Sequence, residues 1–179
     1  MEHVYDGSSW QGGHVIASNF FAGPGERINI IPMLKSLNHP GGSATFADNW
    51  GRLEYLWHGI LSGNDGNLGR AYSTGHAENH PGGKPALIDQ WRKLAGDKPS
   101  ITFRVEVEYD DSLTDFNRAE FQARQDNLNS YAHQYDRNRP EEMNNLGAPP
   151  SEIVVDWSLN GVDQARLNYD NHPTRTPRN

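Results

Sequence analysis

Residues 10–38 read WQGGHVIASNFFAGPGERINIIPMLKSLN, and residues 48–61 follow as DNWGRLEYLWHGIL. The first stretch puts His14 directly after two glycines, at the opening of an apolar strand. Glycines there let the backbone at His14 approach a ligand more closely than bulkier neighbours would. In the second stretch Trp50, Leu53, Leu56, Trp57, Ile60 and Leu61 recur at helical spacing, with Asp48 as the expected N-cap and Gly63 as the expected stop. A strand and turn, then an amphipathic helix, make residues 10–62 the chemistry-bearing core of the chain.

Outward from that core the texture changes. Residues 63–98 are polar and Gly/Pro-rich, with one short helical candidate in LIDQWRKLAG. Residues 101–109, ITFRVEVEY, alternate Ile101, Phe103, Val105, Val107 and Tyr109 with polar partners, the pattern of a half-buried strand. Residues 112–148 are polar again, with weak helical periodicity through Phe116, Phe121 and Leu128. The segments EIVVDWSLNG and QARLNYDN read as two strands joined at Asn160-Gly161, a strong short hairpin signal. The closing NHPTRTPRN reads as a frayed tail. The expectation is a single α+β domain over residues 1–179, with a central antiparallel sheet, an N-terminal-half helix and two long polar insertions at about 63–98 and 112–148.

Composition narrows the function classes. The chain has 179 residues, 35% of them hydrophobic, and a mean hydropathy of -0.83, so its core is modest for its length. Sixteen Lys and Arg against 23 Asp and Glu give a net charge of -7, which argues against a broad positive field for nucleic acid. A phosphate contact must then be local or metal-assisted. With no cysteine, disulfide frameworks, zinc-thiolate sites and thiol nucleophiles are excluded. No run approaches the length of a membrane span, and the first ten residues lack the basic flank and apolar stretch of a secretion signal.

Around His14 the residues suit hard-cation chemistry. Asn38 offers a carboxamide oxygen and Glu54, on the helix, a carboxylate. Mg²⁺ favours sites with few protein ligands because it keeps most of its waters and takes other oxygens from substrate phosphate. An imidazole is a competent general base at neutral pH.

These residues resemble the DNA/RNA non-specific endonucleases, ββα-metal (His-Me finger) nucleases, and among them the bacterial polymorphic-toxin branch. The resemblance rests on residues 12–38 and on Trp50-Gly51-Arg52-Leu53-Glu54, with support from PPSEIVVDWSLNG. It implies that His14 is the general base, that Asn38, closing Asn29-x-x-Pro32-x-x-x-x-Leu37-Asn38, holds Mg²⁺ (or Mn²⁺ in its place), and that Glu54 orients the hydration of the metal. It further implies hydrolysis of DNA or RNA to 5′-phosphate and 3′-hydroxyl ends. The chain would be the C-terminal toxin domain of a secreted effector acting in the cytoplasm of a target cell, with a cognate immunity protein as partner.

Departures from the pattern shape the expectations. Gln11 and Gly12 stand where many members carry Asp and Arg, so Arg27, Lys35 or Arg52 would have to meet the phosphate. The segment HPGGSATFADN lengthens the link before Trp50 and makes Asn49 a rival to Asn38 for the metal. A non-catalytic binding module that retains the nuclease fold is the alternative function. His58, one turn beyond Glu54, is within reach of a hydrogen bond to it. His76 and His80 have the spacing of a helical zinc pair, but Gly75 and Pro81 frame them as a loop.

Overall fold

The computed structural model describes residues 10–15, 30–40, 45–108 and 150–171. Arg27, Asn29, Tyr109, all of the second expected insertion and the tail beyond Asn171 lie outside these residues. Strand β1 (Trp10–His14) pairs antiparallel with β2 (Ile30–Leu34), His14 opposite Ile30. β2 runs straight into a single helical turn, α1 (Lys35–Asn38). Helix α2 (Trp50–Ser62) follows, then α3 (Asp65–Arg70), α4 (Thr74–Asn79) and α5 (Gly83–Ala95). Strand β3 (Ile101–Glu108) pairs with β4 (Glu152–Leu159), which in turn carries β5 (Val162–Asp163) and β6 (Leu167–Asp170). The chain is thus α+β with antiparallel pairing, but its described strands form two sheets, of two and four strands, where the sequence suggested one.

Helix α2 forms where the apolar spacing predicts it. Trp50, Leu53, Leu56, Trp57 and Ile60 are all buried, and Gly63 closes the helix in the left-handed conformation with φ 67°. The cap is Asn49, one residue later than expected. Its extended backbone lets its side chain accept from Arg52 N at 2.9 Å. Asp48 instead accepts from the Thr45 hydroxyl.

The first polar insertion is mostly helical. Side-chain caps start its two short helices, Asn64 accepting from Asn67 N and Ser73 from His76 N. Leu68, Ala77, Leu87 and Trp91 turn inward onto the common core. The expected loop around His76 and His80 is therefore helix α4 with His80 just past its end. Short helices of this kind are marginal alone and exist by packing.

At the other end of the chain, Asn160 (φ 53°) and Gly161 (φ 78°) make the expected hairpin turn. Three residues, 164–166, oppose two, 156–157, between the β5 and β6 pairings, so the returning strand carries a bulge. Asn160 also donates to the carbonyls of Leu94 and Ala95, satisfying the end of α5.

The core lies between the helices and the four-stranded sheet. Trp57 stacks on Phe103 at 4.7 Å and meets Trp157 at 5.9 Å, and Trp157 meets Trp91 at 6.0 Å. The β1–β2 hairpin joins this body through Met33 and Leu34. It is also fastened by Asn171, which sequence reading assigned to the tail. Fully buried, Asn171 accepts from Leu34 N and donates to Pro150 O, both at 2.8 Å.

Candidate active site

Helix α2 is the element on which the candidate residues converge. Trp50, at its first position, is fully buried, and its indole N–H lies 3.1 Å from the His14 carbonyl oxygen and 3.1 Å from Glu54 Oε1. One donor thereby ties the end of strand β1 to the carboxylate one turn along the helix. Beside it, Gly51 meets the end of α1. A Cβ at position 51 would lie 2.6 Å from the Asn38 carbonyl oxygen, closer than any side chain tolerates, so only glycine permits this approach. His14, Asn38 and Glu54 are in this way all brought to the first two turns of α2.

Strand alternation sets the side on which His14 sits. A Cβ on Gly13 would collide with the fully buried Met33, so position 13 faces the core and position 14 faces away from it. His14 is partly buried there.

Asn49 holds the connection together. Its amide donates to Ser36 O at 2.8 Å and His39 O at 2.9 Å while its oxygen caps α2. Fully buried and with that oxygen already accepting from Arg52 N, Asn49 serves as a brace between α1 and α2. Asn38 is partly exposed at the end of α1.

Arg52 is used differently from the phosphate contact the sequence suggested. Buried at 7% exposure, it donates from Nη1 to Arg70 O at 2.8 Å and from Nη2 to Pro40 O at 2.6 Å. Burial pulls its pKa below the ordinary value. Lys35 is exposed on α1, within the same short helix as Asn38.

Burial raises the Glu54 pKa from 4.5 to about 7, against the opposing effect of the Trp50 hydrogen bond. Among the described residues no Lys, Arg or His forms an ion pair with it. Tyr169 packs edge-on against Trp50 at 5.8 Å and donates to Phe46 O. Its phenol is driven well above the ordinary value by burial, then by Asp48 and Glu54, so it stays neutral. His58 Nδ1 lies 2.6 Å from the side-chain amide nitrogen of Asn67. An amide nitrogen only donates, so Nδ1 accepts in this pair.

His76 stacks on Tyr72, and His80 Nδ1 is buried without a hydrogen-bond partner among the described residues. No group of three or more His, Cys, Asp or Glu there is arranged to hold a metal, and no described helix is long and apolar enough to cross a membrane.

Sequence reasoning missed the bracing roles of Asn49, Trp50 and Asn171. The signal for the first was present, since an asparagine directly before an apolar helical run is a standard cap. Nothing local could have announced Asn171, which acts on a residue 137 positions away. No protein-family model, no curated protein and no solved structure matches this chain.

Proposed function

We propose that the chain is a Mg²⁺-dependent endonuclease of the ββα-metal type that hydrolyses phosphodiester bonds in DNA, with RNA as a second substrate. The observation that carries this reading is the Trp50 indole N–H, which lies 3.1 Å from both the His14 carbonyl and the Glu54 carboxylate. With Gly51 packed on the Asn38 backbone, it supports a reading in which the segments carrying a base, an amide and an acid meet at the start of α2.

The donor set fits a hard dication. The Asn38 carboxamide would hold it, and the largely desolvated Glu54 carboxylate, which pairs with no cation among the described residues, has a deficit of positive charge that such an ion would relieve. When bound, Mg²⁺ neutralises the charge that builds on the phosphate and on the leaving oxygen.

His14 accepts a proton from water as the water oxygen bonds to phosphorus in line with the 3′ oxygen. The phosphorus–O3′ bond breaks and O3′ takes a proton from solvent water, leaving 5′-phosphate and 3′-hydroxyl ends, and His14 returns its proton to solvent. Glu54 orients the water around the site, and Trp50 keeps Glu54 in place. The acidic net charge supports a site whose positive charge is local, and it makes binding weak and salt-sensitive. In the same reading the domain is the toxin part of a delivered effector, acting in the cytoplasm of a target cell and matched by an immunity protein that covers the site or its flanking segments.

Supercoiled plasmid incubated with the purified protein tests this directly. Nicking is expected with Mg²⁺, not with EDTA, and not with His14→Ala. Equal nicking by both proteins would overturn the role of His14. Oligonucleotide binding without any metal-dependent cutting would leave the binding-module reading in its place.

A further inference from the structure

Two stripes of helix α2 meet neighbours at the candidate site. One runs through Trp50, Glu54 and His58. The adjacent one runs through Gly51, Tyr55 and Gly59 at four-residue intervals. On this second stripe Gly51 abuts Asn38 and Gly59 abuts Leu68 of α3, where a Cβ would lie 2.7 Å from Leu68 N. Between those two contacts, one turn along from Asn38, the Arg70 guanidinium lies over the Tyr55 ring, 5.3 Å from its centre.

The placement of Arg70 is built rather than incidental. The buried Arg52 donates to its carbonyl at 2.8 Å and, through Pro40, ties the same helix to the segment after Asn38. One buried arginine thus fixes the backbone of a second, exposed one against helix α2. Among the described residues Arg70 makes no ion pair. By contrast Arg92 is paired with Asp65, Arg104 with Glu106, and Arg166 reaches Glu106 and Asp156.

We propose that Arg70, seated on Tyr55, is the phosphate-binding platform that carries a nucleic-acid strand past the candidate site. The inference rests on the nuclease reading of that site and supplies the cation that Gly12 does not provide. A guanidinium laid on an aromatic face keeps its in-plane N–H donors free, and that fork matches two phosphate oxygens. Tyr55 seats the guanidinium 5.3 Å from its ring centre, on the same helix that carries Glu54. In a chain of net charge -7, one oriented cation has a large share of the local attraction.

The test is fluorescence anisotropy of a labelled single-stranded DNA oligonucleotide, in EDTA so that no cutting occurs, over about 50 to 200 mM salt. Arg70→Ala should weaken binding about tenfold and lower the salt slope by about 0.7, the share of one phosphate contact on a single strand. Arg70→Lys should keep the slope but bind less tightly, since a point charge lacks the fork. Tyr55→Ala should also keep the slope and lose several-fold in affinity.

An Arg70→Ala protein with wild-type affinity and slope overturns the platform, as does a wild-type protein that binds no oligonucleotide at low salt. The plasmid assay separates the two readings. If wild type cuts and Arg70→Ala shows an unchanged KM, the platform fails and the nuclease stands. If Arg70-dependent binding occurs without cutting by wild type, the nuclease fails and the platform stands.

Discussion

Replacing Glu54 by glutamine removes one ionisation and little else, because a carboxamide oxygen can still accept from the Trp50 indole. Burial lifts the Glu54 carboxyl from 4.5 to about 7, so the folded protein holds a proton that the unfolded chain has released between those values. The native state binds more protons in that window, and stability therefore falls as pH rises from about 4.5 through about 7, then levels off. The full cost of burying the charge is about 3 kcal/mol at pH 8, from the 1.36 kcal/mol that each tenfold change in acidity represents. Glu54→Gln should match wild type near pH 4 and exceed it at pH 8 by that order. For a chain of 179 residues this is a rise in Tm of about 6–12 °C. Thermal melts of both proteins in EDTA, followed by circular dichroism across this pH range, measure it. Added Mg²⁺ should narrow the gap at pH 8 by stabilising wild type more than the variant. A difference that is flat with pH, or a variant less stable at pH 8, would refute the reasoning. The same variant should lose nicking activity, so the carboxylate would be kept at a cost in stability.

Other substitutions examine the brace and the ligand separately. Asn38→Ala should raise the Mg²⁺ needed for half-maximal nicking at least tenfold, and an unchanged requirement would remove Asn38 from the site. Asn49→Ala should cost about 2–3 kcal/mol in urea unfolding, since it deletes a helix cap and leaves two carbonyls without their donor; a loss below about 0.5 kcal/mol would contradict the brace. Gly51→Ala places a methyl group against the Asn38 carbonyl and should destabilise by about 1–3 kcal/mol while raising the Mg²⁺ requirement; wild-type values for both would show that the close approach is not needed. Trp50→Phe removes the donor that lowers the Glu54 pKa, so the acid limb of the nicking profile should move to higher pH, and an unmoved limb would detach Trp50 from Glu54.

What could be read in advance divides by range. Helix α2, strand β3 and the Asn160-Gly161 hairpin were legible because each is fixed by a local pattern: apolar spacing, alternation, and two residues at positive φ. The convergence of residues 14, 38 and 54 could not be read from periodicity and entered only through a resemblance of motifs. What ties the backbone at residues 14 and 38, and the Glu54 carboxylate, to the start of α2 is tertiary: an indole reaching two oxygens, and a glycine under a carbonyl. Arg52 shows the limit most clearly. In sequence it is a basic residue on a helix, equally suited to solvent or phosphate, and only packing of the segments ending at Pro40 and Arg70 turns it inward. The short helices of residues 65–79 were hidden for a related reason, since Gly- and Asn-rich turns of helix have little intrinsic propensity.

The Asn171 bond to Leu34 imposes an order on biosynthesis. A ribosome delivers the hairpin first and its fastener 137 residues later, so until then the histidine strand lacks this bond to the segment that follows β6. A nascent polypeptide that stalls before this asparagine is left with an unlatched hairpin. The cell making the protein thus meets the finished site only once Asn171 has been added.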